Sequence, residues 1–175
     1  FFGKKLNNEL GDIPIGLINA SWGGTPAEVW TPAEVVYNDE ALKKAAASLQ
    51  EVPWGPVKPG VNYNGMIAPV NKYNIAGAIW YQGEANVGTH ATYAKLLTSM
   101  INSWRKIWDK RFPFYYVQLA PFKYGNKNVC ALLQEQQTEV MKLPKTGMIV
   151  ITDLINTVTD IHPSNKKDVG NRLAN

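Results

Sequence analysis

Short apolar runs alternate with amphipathic stretches along most of this chain, and no other feature narrows the possible folds as much. Four runs rich in β-branched and aromatic residues read as buried strands: Ile13–Ala20, Ile75–Tyr81, Phe114–Leu119 and Met148–Thr152. Between them, residues 39–50 put Leu42, Ala45, Ala46 and Leu49 on one helical face. Residues 91–108 carry the clearest stripe, formed by Tyr93, Leu96, Leu97, Met100, Ile101, Trp104 and Trp108. A weaker helical pattern covers 129–142, and the ends, 1–10 and 165–174, also suit helices. Such alternation predicts an α/β layer fold with a mostly parallel sheet. Residues 52–63 hold Pro53, Gly55, Pro56, Pro59 and Gly60 and read as one long loop, of a length that is often functional in compact domains. Thr-Pro-Ala-Glu occurs twice, at Thr25–Glu28 and Thr31–Glu34. Each copy is a helix-start signal, with Thr as cap, Pro at the first helical position and Glu reaching back, so a single turn followed by a fresh start at Pro32 is expected.

With 175 residues, 45% of them hydrophobic, the chain has the size of one domain and can build a real core. Its net charge of +4 is scattered, with only doublets at Lys43-Lys44, Lys110-Arg111 and Lys166-Lys167. That is not the clustered basic stripe a nucleic-acid binder presents. No apolar run approaches the ~18 residues of a membrane span. A lone cysteine, Cys130, excludes an internal disulfide and a cysteine-built metal centre, and reads as a small buried hydrophobe. Two histidines, His90 and His162, are too few for a His-built metal site, and Glu84, Asp153 and Asp160 do not stand at ligand spacing, so neither metal nor other cofactor is expected. No leader peptide is visible, and a chain opening on Phe1 reads as cut from a longer parent. Six tryptophans and eight tyrosines suit a core and a sugar-lined cleft equally.

Three short segments carry residues able to do chemistry. Ser21-Trp22-Gly23-Gly24-Thr25 follows an apolar run and precedes a helix start, the place where open α/β sheets bind ligands. Its glycines either supply backbone N–H donors to an oxyanion or simply make a tight turn. Ser21 lacks the Gly-x-Ser-x-Gly spacing of a nucleophile elbow. Trp80-Tyr81-Gln82-Gly83-Glu84-Ala85-Asn86 puts Gln82, Glu84 and Asn86 at another strand end. A side-chain amide there is a suitable oxyanion donor, and Glu84 either binds polar substrate groups or braces the loop. Asp160-Ile161-His162-Pro163 follows the last apolar run. Residues two apart in an extended loop point the same way, so Asp160 can orient the imidazole of His162 as in a serine hydrolase. His90 has no such partner and is expected in solvent near the start of the long helix. Trp22, Trp54 and Tyr81 are candidates for stacking on a sugar, or for the core.

Taken in order, these segments resemble the signature blocks of the sialate O-acetylesterase-like branch of the SGNH (GDSL-like) hydrolases. Gly16–Trp30 resembles the second block, Ala78–Asn86 the third, and Asp160–Pro163 with the trailing Val169–Ala174 the last; Tyr63–Pro69 matches the branch's Asn-Gly-Met-Ile-x-Pro stretch. The resemblance implies a three-layer α/β/α sandwich of flavodoxin-like strand order and hydrolysis of acetyl esters on sialic acid or other glycans. It implies His162 as general base, Asp160 as its partner, and Gly23 N–H and the Gln82 side chain at the oxyanion. Gly24, Glu84, Asn86, Trp22 and Tyr81 are then expected against the substrate. A secreted or periplasmic setting is expected on the same ground. The first block, with the nucleophilic serine in a Gly-Gln-Ser-Asn-like turn, has no counterpart here. Residues 1–175 are therefore expected to be the C-terminal part of one esterase domain, inactive alone, with a companion N-terminal segment or chain supplying the serine. That segment's strand would lie between Ile13–Ala20 and Ile75–Tyr81. A non-catalytic carbohydrate-binding module, or a lipase or thioesterase on the same fold, stays open beside the esterase.

Overall fold

A computed structural model describes residues 1–125 and 127–175. Three strands, β1 (Ala78–Trp80), β2 (Phe114–Val117) and β3 (Thr146–Ile149), form a sheet in consecutive order, all parallel, with Ala78 opposite Phe114 and Tyr116 opposite Met148. Six α-helices accompany them among the described residues: α1 (Phe2–Glu9), α2 (Ala33–Tyr37), α3 (Glu40–Ala47), α4 (Tyr93–Ile107), α5 (Val129–Val140) and α6 (Lys166–Ala174).

Alternation along β2 assigns the two faces of the sheet. Phe114 and Tyr116 join the main core with the apolar faces of α4 and α5, while Val117 joins a smaller core with Ile151 and with Val169 and Leu173 of α6. Phe2 of α1 packs against this second cluster. The result is an α/β/α sandwich, as expected, with the long amphipathic stripe of α4 buried from Tyr93 to Trp104. Each fully buried side chain of that stripe contributes roughly 1.5–3 kcal/mol. Trp80 of β1 stands edge-on to both Trp30 and Trp104, with ring centroids 5.9 Å apart in each case, so three of the six tryptophans serve the core. Arg105, 7% exposed, donates from Nε to Phe112 O (3.1 Å) and from Nη2 to Lys145 O (2.9 Å), fixing the approaches to β2 and β3.

Two local expectations fail. Ile13–Ala20 has no regular structure and forms no ladder among the described residues, and Ile13, Leu17 and Ile18 are exposed. A strand exists only through a neighbour's hydrogen bonds, and the three paired strands do not reach this segment. The double Thr-Pro-Ala-Glu does give one 3-10 turn, Ala27–Trp30, and a fresh helix at Ala33, yet neither Thr caps. Thr25 Oγ1 donates to Trp22 O and accepts from Trp30 Nε1, and Thr31 Oγ1 donates to Ala27 O. Asp39 is a true cap, accepting from Ala41 and Leu42 N–H at the start of α3.

Candidate active site

The turn at Gly23-Gly24 is exposed, and Gly24 holds φ +74°, a conformation glycine alone adopts without strain. A Cβ on Gly24 would come within 2.7 Å of Trp54 Nε1, so the missing side chain is what lets the Trp54 indole lie on this turn. Trp22 Nε1 in turn donates to Trp54 O at 2.8 Å, beside the bare Cα of Gly55. The long loop is thereby clasped to residues 22–25, with Trp22 49% and Trp54 60% exposed.

At the carboxyl end of β1 the chain turns through Gly83 into a 3-10 stretch, Glu84–Thr92. Gln82 reaches back across this end. Its Nε2 donates to Thr25 O (3.1 Å) and to Asn86 Oδ1 (2.8 Å), and its Oε1 accepts from Tyr93 Oη (2.9 Å). Both N–H bonds of Gln82 are thus engaged. Asn86 is not against a substrate, contrary to expectation: it is 1% exposed, accepts from Ala27 N and Gln82, and donates to Glu28 Oε2 (2.8 Å) and Thr89 Oγ1 (3.3 Å). With four partners inside the fold, its amide has nothing left to offer a ligand.

Asp160 and His162 lie on the loop between β3 and α6, both exposed. Asp160 Oδ1 accepts from the backbone N–H of His162 (2.8 Å) rather than from its ring. The His162 ring makes no hydrogen bond among the described residues.

These segments line one cleft of about 1050 Å³, which His162 shares with Gly23, Gly24, Trp54, Tyr81 and Glu84. A hollow of about 140 Å³ adjoins it, bordered by Ser21, Trp22, Gly23, Gln82 and Glu84. The ring at 162 and the loops bearing Gly23 and Gln82 therefore face connected spaces, beyond the carboxyl ends of parallel strands where the fold places ligands. Ser21 Oγ is bonded to Asn19 Oδ1. Tyr81 offers less than a free stacking face: Lys166 Nζ sits 4.8 Å from its ring centroid. Burial, with Glu84 nearby, pushes the Tyr81 hydroxyl up to about 12. His90 is half-buried in the 3-10 stretch rather than in open solvent.

Two contributors escaped sequence reasoning. Lys166 belongs to a doublet that looks merely solvated, and nothing local in sequence ties it to Tyr81. The Thr-Pro-Ala-Glu pattern has Glu28 reaching back to its own helix start; instead it is 1% exposed and bonded to Asn86, 58 residues away. Burial raises its carboxyl above the ordinary value, and the Asn86 bond opposes that only in part.

Comparison with known proteins follows the same lines. The family described as carbohydrate esterase, sialic acid-specific acetylesterase, matches residues 1–175. The sialate O-acetylesterase of Homo sapiens is 32% identical over 192 residues, covering 98% of this chain and 36% of the relative. That of Mus musculus is 29% identical over 217 residues, covering 98% and 40%. A crystal structure of a carbohydrate acetylesterase from Xanthomonas citri superposes with a TM-score of 0.83 at 39% identity, covering 99% of this chain and 38% of that one. The chain thus spans well under half the length of each.

Proposed function

The chain belongs to the sialic acid-specific acetylesterase family of carbohydrate esterases, and we propose that it carries the acid–base and oxyanion parts of an enzyme that removes acetyl groups from sialic acid or related glycans. One observation carries this reading: His162 shares a cleft with Gly23 and Gly24, and Gly23 also borders a second hollow that Gln82 lines.

The nucleophilic serine comes from a segment outside these 175 residues, which form the later part of one esterase domain. Its oxygen attacks the acetyl carbonyl carbon, and its proton passes to the His162 imidazole, held by Oδ2 of Asp160. Gly23 N–H receives the oxyanion. Gln82 is the second donor, sharing the N–H it gives to Thr25 O, the longer of its two bonds. Each donor contributes roughly 3 kcal/mol at the transition state. Collapse breaks the ester bond, and His162 returns the proton to the departing sugar oxygen. Water then repeats the sequence on the acetyl-enzyme and releases acetate. Trp22 and Trp54 present flat apolar faces at the mouth, Glu84 and the backbone at Gly24 meet sugar hydroxyls, and Tyr81 forms the wall behind them. A secreted or periplasmic setting goes with such substrates, and fractionation of the source cells tests it.

The deciding experiment is His162→Ala in the full-length enzyme, assayed on an O-acetylated sugar. Loss of kcat by at least about a thousandfold is expected. Turnover within tenfold of wild type would show that His162 is not the base.

A further inference from the structure

Glu28 is a carboxylate inside the protein with no cation to answer it. It is 1% exposed, makes no ion pair among the described residues, and leaves Oε1 without a partner. Unpaired burial of such a group is unfavourable, and an apolar side chain of similar size usually serves stability as well or better. Its contribution is therefore sought in what its one firm contact controls.

That contact is Asn86. An amide has two ends of nearly equal shape, and only its partners decide which way it faces. Glu28 Oε2 takes Asn86 Nδ2 at 2.8 Å, which turns Asn86 Oδ1 toward Ala27 N (2.9 Å) and Gln82 Nε2 (2.8 Å). Gln82 is then fixed in the same sense, with its oxygen on Tyr93 Oη and its N–H toward the backbone of residue 25. Reverse the first amide and the second loses its acceptor. We infer that Glu28 is a positioning residue: through Asn86 it fixes the Gln82 carboxamide with its N–H, not its oxygen, toward the Gly23–Thr25 turn.

The inference rests on the esterase reading for its effect on rate, but not for its effect on Gln82 itself. In the full-length enzyme, Asn86→Asp sets a second carboxylate against Glu28 in place of the donor, and at a pH where both are ionised their repulsion drives residue 86 off Gln82 Nε2, the contact that fixes it. With a chromogenic acetyl ester, kcat should fall about a hundredfold, with KM within about threefold of wild type. Glu28→Gln alone keeps an acceptor oxygen for Asn86 and should hold kcat within about fivefold. The double variant Glu28→Gln/Asn86→Asp exchanges donor and acceptor across the same contact and should recover kcat to within about tenfold of wild type. Exchange of the Gln82 side-chain amide protons, followed by NMR, gives a readout independent of turnover: slow in wild type, fast in Asn86→Asp, slow again in the double variant. No recovery in the double variant, or Gln82 protons equally protected in all forms, would overturn the inference. Loss of wild-type turnover would count against the esterase reading, and the Gln82 exchange pattern would still decide the role of Glu28.

Discussion

Asp160 and His162 stand two positions apart on a bend, where the Asp160 carboxylate accepts from the backbone N–H of the histidine. That bond, 2.8 Å long, engages Oδ1, and the proposed mechanism gives Oδ2 to the imidazole. Asp160→Asn in the full-length enzyme should keep the fold but favour the wrong tautomer, lowering kcat roughly a thousandfold or more with little change in KM. A second effect belongs to Glu28. Burial raises its folded carboxyl above the ordinary value, so the native state holds the proton more tightly than the unfolded chain does. The stability this gives is present at low pH, below the unfolded value, and is lost as pH rises through the raised folded value. Glu28→Gln, which does not titrate, should therefore gain in Tm relative to wild type as pH is raised from 4 to 7. A difference in Tm that stays flat across that range would mean Glu28 ionises as freely as an exposed acid.

At the scale of elements, two contacts carry separable consequences. Arg105 joins α4 to the carbonyls of Phe112 and Lys145, and Arg105→Met would take the side-chain donor from Phe112 O while Lys145 O keeps the bond from Phe114 N–H (2.9 Å), a loss of about 1–3 kcal/mol by denaturant titration. The clasp between the long loop and the Gly23-Gly24 turn places Trp54 at the mouth of the cleft. Trp54→Ala should raise KM for an O-acetylated glycoside about tenfold while leaving a small chromogenic acetyl ester within about twofold, because the smaller ester does not reach the indole. Equal effects on both would assign Trp54 to the structure of the loop. Sequence pattern located α4, α5 and three strands because each depends on period and on burial within its own length. Ile13–Ala20 forms no ladder among the described residues, since pairing depends on a neighbour and not on the run itself. The placement of Gly23, Gln82 and His162 around adjoining cavities was legible, because each lies in a motif segment that follows an apolar run. It was not legible at Asn86 and Glu28, whose partners lie 58 residues apart in sequence.

The whole molecule is a three-layer sandwich whose parallel strands all point their carboxyl ends at one rim. α4 and α5 seal the main core on one face, and α1 with α6 closes the other. This arrangement lets three loops, each following a different stretch of chain, face a common space without any one of them being rigid alone. The mouth is polar at Glu84 and His162 and apolar at Trp54, and under the proposed function this pairing favours a hydroxylated ring over a long acyl chain. An acetyl ester should accordingly be turned over at least tenfold faster, in kcat/KM, than the octanoyl ester of the same chromophore.

The most direct measurement is a structure of the full-length enzyme inactivated by a methylphosphonate ester, whose phosphorus mimics the tetrahedral acetyl carbon. The phosphoryl oxygen should lie about 2.7–3.1 Å from the backbone nitrogen of Gly23, with the His162 ring within hydrogen-bond reach of the modified serine. An adduct formed elsewhere, or one whose serine is served by a different base, would contradict the assignment of this cleft as the acyl-transfer site.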